Sequence, residues 1–164
     1  MIRYPSLLLA LATITTALMA GLFYAFSVSI NLAFRHLPDT QYILAMQEIN
    51  KAIVNPLFLF GFLGSPLFLS LAALAYRKQP RSPKFAWIFA ALVVFIVGSF
   101  GVTIVGNIPL NKQLEGFSLQ GSSVEQAKVM RGVFAESWNN WHTVRTICSV
   151  CSLVLLVIGC LRKD

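Results

Sequence analysis

Four apolar stretches, each of about 20 residues or more, constrain this chain more than any other feature. They run from Leu7 to Asn31, Pro56 to Tyr76, Phe85 to Pro109 and Trp138 to Leu161. At a rise of 1.5 Å per residue, such a stretch reaches about 30 Å, the thickness of bilayer hydrocarbon. Hydrocarbon offers no water to satisfy a peptide group, so each stretch must close its hydrogen bonds internally, as a helix. The predicted fold is all-α, a four-helix transmembrane bundle over residues 1–164 as a single domain. Composition agrees. The chain is 57% hydrophobic and 12% charged, whereas soluble domains carry about 25% charge. A soluble core of this size leaves roughly 30% of the chain's surface exposed, too much for so apolar a sequence.

The net charge of +7 raises nucleic acid as a partner, but the basic residues flank the apolar stretches instead of forming one aromatic-interleaved patch. No nucleic-acid partner is expected; the partner these stretches demand is a lipid bilayer. Arg3 precedes the first stretch, Arg77, Lys78, Arg81 and Lys84 crowd the connection between the second and third, and Arg162 and Lys163 follow the fourth. With four crossings these clusters share one side. The positive-inside rule makes that side cytoplasmic and puts both termini there. Arg3 and Leu7-Leu8-Leu9 have the form of a signal peptide. However, the apolar run continues through Phe26, and Leu18 stands where a small residue is wanted before cleavage. The first stretch therefore reads as an uncleaved helix.

The two outer connections, Arg35 to Asn55 and Leu110 to Ser137, carry helical signals of their own. Ile43-Leu44, Met46, Ile49-Asn50 and Ile53-Val54 recur at helical spacing, which predicts a short amphipathic helix at the membrane surface. Asn55-Pro56 has the residues of a helix start. Ser123 and Gln126 have the capping-box spacing and open a helix leading into the fourth stretch, with a bend near Gly132. Cys148, Cys151 and Cys160 read as free thiols packed in an apolar helix. The two histidines, His36 and His142, are far apart, acids are few, and no metal-ligand set, Gly-rich phosphate loop or nucleophile elbow is present.

Polar residues inside apolar stretches tend to face the bundle interior or a cavity. Thr13, Thr16, Ala20, Tyr24, Ser27 and Asn31 fall at three- and four-residue steps, and the outer half of that stripe is a candidate lining. Gln47 and Asn50 share a face of the surface helix. Thr103, Asn107 and Asn111 cluster at the outer end of the third stretch, around Pro109. Trp138, Trp141 and Arg145 share a face of the fourth stretch, with His142 beside them. Each group also has a bland reading as packing seam, interfacial anchor or helix end. Their convergence on the outer half of the bundle is what points to a site.

Several segments occur together in order: Gly21-Leu22-Phe23-Tyr24-Ala25-Phe26-Ser27, Ala45-Met46-Gln47-Glu48-Ile49-Asn50, Asn55-Pro56, Asn107-Ile108-Pro109-Leu110-Asn111, and Trp138-x-x-Trp141-His142-x-x-Arg145. With these motifs the chain resembles, over nearly its whole length, the anthrone oxygenase-like family of four-helix membrane proteins. The bacterial members of that family are mostly labelled as a domain of unknown function. The resemblance implies a bacterial inner membrane. From the fungal members it implies oxidation of an anthrone to an anthraquinone with no cofactor. On that chemistry His142 is a candidate base, Arg145 would hold the anion, and Asn107 or Asn111 would donate hydrogen bonds to its oxygen. Tyr24, Trp138 and Trp141 would stack on the rings, with Ser27, Asn31, Gln47, Asn50 and Thr103 completing the lining.

Three functions fit these residues: a cofactor-independent oxygenase acting on a lipophilic aromatic, a protein that binds or shuttles a lipophilic small molecule, and a structural or assembly partner. Small-residue faces also allow a homo-oligomer. A channel or transporter fits less well, because no stretch carries acids or paired charges through its depth.

Overall fold

The computed structural model describes residues 4–77 and 83–162. Arg3, Lys78, Arg81 and Lys163, on which the topology reading leans, lie outside the described residues. Among those described, helices α1 (Tyr4–Phe34), α3 (Pro56–Tyr76), α4 (Pro83–Glu115) and α5 (Val124–Leu161) are long and apolar enough to cross a membrane. Helix α2 (Asp39–Ile53) joins α1 to α3.

The predicted helix starts are present. The Asn55 side chain accepts the Phe58 N–H at 3.0 Å. Ser123 and Gln126 form the reciprocal capping box, which satisfies two amides that no helical carbonyl can reach. Three helices run past the ends the apolar windows give, because polar residues close helical hydrogen bonds as readily as apolar ones. Helix α5 continues unbroken through Gly132 over 38 residues. Helix α4 passes through Pro109 instead of ending there. The turn before it, Thr103–Asn107, is π-helical, and its wider repeat makes room where the proline ring would otherwise strike a preceding carbonyl. Two more π-helical turns lie at Phe26–Ile30 in α1 and Ile96–Gly101 in α4.

Helix α1 packs against α3 and α5, and α4 packs against the same two. Facing residues run in opposite directions along each pair, so neighbours are antiparallel. Met19 and Thr15 of α1 meet Gly61 and Gly64 of α3. Cys148 and Trp141 of α5 lie so close to Gly98 and Gly106 of α4 that a Cβ at either glycine would clash with the sulfur or the indole. Small residues at these points let the backbones approach, as membrane helix contacts require. Leu18, Leu63, Val97, Val105, Ile147 and Val154 remain exposed on the outside of the bundle, where lipid would cover them.

This register fixes the level at which α3 begins against its neighbours. Helix α3 has 21 residues, a length of about 31 Å, just the hydrocarbon thickness. Gly61 lies against Met19 and the Phe62 ring against that of Phe100, at 4.9 Å. The first residue of α3, Pro56, is therefore level with about Tyr24 on α1 and Gly106 on α4, and Gly106 abuts Trp141 on α5. Beyond that plane α1, α4 and α5 continue without α3 and enclose α2. One apolar cluster fills the bundle around Ala12, Met19, Leu69, Phe95 and Leu156. A second, built from Phe26, Tyr42, Ile43, Met46, Phe134 and Trp138, fills the cap.

Candidate functional site

The polar layer lies at the seam between these two clusters. Trp138, His142 and Arg145 follow one another at steps of four and three, so they share the inward face of α5, and all three are buried. Across from them, the π-helical turn of α1 presents Phe26 and Ser27, with Phe23 just before it. The imidazole of His142 stacks on Trp138 at 4.8 Å with 12° between planes, and Phe23 and Phe26 close it off at 6.1 and 5.3 Å.

The hydrogen bonds around the imidazole have defined directions. Arginine can only donate, so the 3.0 and 2.9 Å contacts from Arg145 Nε and Nη2 make His142 Nδ1 an acceptor. The ring proton of the neutral imidazole is then on Nε2, which donates to Ser27 Oγ at 2.9 Å. The Ser27 hydroxyl in turn donates to the Phe23 carbonyl at 3.0 Å. Thr146 stands beside this pair, 3.3 Å from Ser27 Oγ, and donates to the His142 carbonyl at 2.7 Å.

Arg145 as a whole residue is 8% exposed. Its guanidinium lies over the rings of Phe23 at 4.3 Å and Trp138 at 5.1 Å, a cation–π arrangement that offsets part of its desolvation. Among the described residues no carboxylate pairs with it, and Nη1 has no hydrogen-bond acceptor. A buried charge without its counter-charge is costly. By the register above, this one lies about a turn further along α5 than the level at which α3 begins.

A second polar group ties α4 to Trp138. Asn111 accepts the indole N–H at 2.7 Å, and Asn107 Nδ2 donates to the Trp138 carbonyl at 3.2 Å. Asn107 is fully buried and its Oδ1 has no partner, so the atom it leaves free is an acceptor and not the donor predicted. Thr103 turns back to the Ser99 carbonyl at 2.8 Å, and Ser99 meets Ser149 of α5 at 2.7 Å.

The structure brings together Ser27, Asn107, Asn111, Trp138, His142 and Arg145 from the predicted set. It places others apart. Tyr24 is 56% exposed, because the inward face of α1 runs through Ala12, Met19, Phe23 and Phe26. Trp141 is 40% exposed and lies against Gly106. The inward stripe therefore passes through His142, one residue round from the predicted Trp138-Trp141-Arg145 face. Gln47 fastens α2, donating to the Leu114 and Phe117 carbonyls at 2.8 Å each. Asn31 and Asn50 are half-buried, and Asn50 Nδ2 has no partner.

Three residues that sequence reasoning did not select are important. Phe23 and Phe26 wall the imidazole, yet in the sequence they are indistinguishable from lipid-facing phenylalanines. Arg131 holds the α1–α2 corner, donating to the carbonyls of Phe34 and Leu37 and to Asp39 at 3.1, 2.7 and 2.9 Å. Its guanidinium covers the Tyr42 ring at 4.6 Å. A separate groove of about 640 Å³ lies in the cap, lined by Gln113, Phe117, Gln126, Val129, Met130 and Val133 among others.

The anthrone oxygenase family profile matches residues 56–155. The chain belongs to the anthrone oxygenase family. Searches of curated proteins and of solved structures give no match. The matched stretch runs from the first residue of α3 almost to the end of α5, so it includes Asn107, Asn111, Trp138, His142 and Arg145. Ser27, Phe23 and Phe26, which complete the cluster, come from α1, outside the matched range.

Proposed function

We propose that this anthrone oxygenase family member is a membrane-embedded, cofactor-independent oxygenase acting on a lipophilic aromatic such as an anthrone or hydroquinone. The observation that carries the reading is Arg145: a buried guanidinium, without a carboxylate partner among the described residues, held between aromatic faces beside an imidazole. A cation so placed favours a flat ligand with an oxygen that becomes negative. The depth is suitable too, since a lipophilic aromatic concentrates near the hydrocarbon boundary.

The chemistry asks little of a cofactor. Anthrone and dioxygen give anthraquinone and water. A base removes a proton from the acidic ring carbon, and the electron pair delocalises onto the carbonyl oxygen, which Arg145 would hold. Dioxygen then takes electrons from that carbon and becomes bonded to it as a hydroperoxide. Loss of water leaves the second carbonyl. His142 is the base within reach, and the unpartnered Asn107 Oδ1 suits a hydroxyl on the substrate. Purified protein should consume oxygen when given an anthrone, and His142→Ala should lower the rate about 10²-fold or more while the helical fold, checked by circular dichroism, is retained. Oxygen uptake no faster than in buffer would refute this reading.

A second reading, a binding or shuttling protein for the same class of molecule, draws on one observation. Both His142 nitrogens are already engaged within the protein. Saturable binding of an anthrone without turnover would decide for it. In either case the membrane is taken to be a bacterial inner membrane, with the α2 end outside and both termini in the cytoplasm.

A further inference from the structure

The directions of the hydrogen bonds around His142 carry an inference that rests on the oxygenase reading and goes beyond it. We propose that Arg145 and His142 are each other's placeholder, and that a ligand oxygen arriving on Arg145 frees His142 Nδ1 to act as the base. In the resting arrangement the Nδ1 lone pair is spent on two donors of the same guanidinium, at 3.0 and 2.9 Å. Nε2 cannot substitute, because it carries the ring proton and gives it to Ser27. The imidazole therefore has no lone pair to offer while Arg145 holds it.

An oxygen that bears negative charge is a stronger acceptor for a guanidinium than a neutral ring nitrogen. A carbonyl oxygen becoming an enolate oxygen therefore competes increasingly well with Nδ1 as the proton leaves carbon. The exchange balances. Arg145 keeps its charge and changes acceptor. The first carbon proton goes to Nδ1 and the C–H electron pair to the ligand oxygen; the enolate carbon then bonds dioxygen, and the imidazolium gives its proton to the outer oxygen to make the hydroperoxide. Loss of the second proton from the same carbon forms the new carbonyl and breaks the O–O bond, and the departing hydroxide takes that proton as water. Ser27 is then a positioning residue: its Oγ fixes the tautomer, so the nitrogen without a proton is the one facing Arg145, while the Phe23 carbonyl takes the hydroxyl proton. The same arrangement protects a resting base inside the membrane from idle protonation.

The test is a ¹⁵N NMR measurement of the two histidines in detergent-solubilised, full-length protein, with His36→Gln used to assign His142. The probe is an ionised hydroxyanthraquinone, which has the flat ring and anionic oxygen but no acidic C–H. Without the probe, Nε2 should appear protonated and Nδ1 as a hydrogen-bonded acceptor. At saturation Nδ1 should move downfield, to the position of an unbonded ring nitrogen. Arg145→Gln should weaken probe binding at least about tenfold. Ser27→Ala should lower kcat for anthrone oxidation about tenfold or more with KM little changed, and Ser27→Thr should restore it. If the probe saturates and Nδ1 stays bonded to Arg145, the exchange is wrong although the oxygenase reading can stand on its oxygen uptake. If no flat aromatic binds, both fail. Should Ser27→Ala not fold, the wild-type Nδ1 shift alone decides.

Discussion

The residue that shapes the site most strongly is Arg145, through what it lacks. Its nearest polar partner is a neutral imidazole three residues back on the same helix, and its cation is covered by aromatic faces. An arginine at this position needs such cover, and among the described residues no acceptor meets Nη1. Outside the membrane-spanning segments, Tyr42 shows the opposite management of charge. Burial in the cap pushes its phenol up to about 12, against the smaller opposing effect of Arg131. The unfolded chain begins to lose this proton near pH 10 and the folded one near pH 12, so folding linkage has a definite sign. Stability should be insensitive to this group below about pH 10 and should fall between pH 10 and 12. Alkaline unfolding compared with Tyr42→Phe measures it, and the variant should lose that part of the pH dependence.

At the scale of elements, the cap depends on two side chains that bond to backbone carbonyls. Gln47 ties α2 to the Leu114 and Phe117 carbonyls at the end of α4, and Arg131 ties α5 to the end of α1 and the start of α2. Helix ends leave carbonyls short of intrahelical donors; the Leu114 and Phe34 carbonyls keep the Phe117 and Leu37 backbone N–H groups, and the two side chains add a further donor. Arg131→Met should cost about 2 kcal/mol, because several charge-assisted bonds go at once and the Leu37 carbonyl loses its side-chain donor. The loss should be local. Hydrogen exchange of α2 should rise sharply while that of α3 stays near its original value, and Arg131→Lys should repair little, since an ammonium cannot span the same fork of acceptors. The π-helical turns belong to this scale as well. Each shifts the phase of the helix that follows, and the turn in α1 sets Phe26 and Ser27 against His142.

For the whole molecule, the length of α3 sets the geometry. It matches the hydrocarbon while its three neighbours overshoot on one side, so the chain has a bare end and a capped end, with the polar layer just below the cap. The capped end should face away from the cytoplasm if the basic connections stay inside. A cysteine at Ser122, in the α4–α5 connection, should react with a membrane-impermeant maleimide added to intact cells, once the native cysteines are replaced. Labelling only after lysis would invert the topology. It would leave the bundle unchanged and move the site to the cytoplasmic face.

Four spans, their approximate depth, the Asn55 and Ser123 starts and the amphipathic α2 were legible because each is a local property. Apolar length, capping chemistry and periodicity act within about a dozen residues and need no partner. Asn107, Trp138, His142 and Arg145 were legible as candidates for a related reason: a polar group in hydrocarbon must find company. Which company each one finds was decided only in three dimensions. Whether Tyr24 or Phe23 faces inward depends on how α1 is rotated against α3 and α5, and whether Asn107 offers a donor or an acceptor depends on a carbonyl supplied by α5. Arg131 reaches carbonyls more than 90 positions away in the chain, a distance over which sequence spacing carries no geometric signal. A single helix can satisfy its own backbone, but its side chains are satisfied only by the rotation and depth of its neighbours.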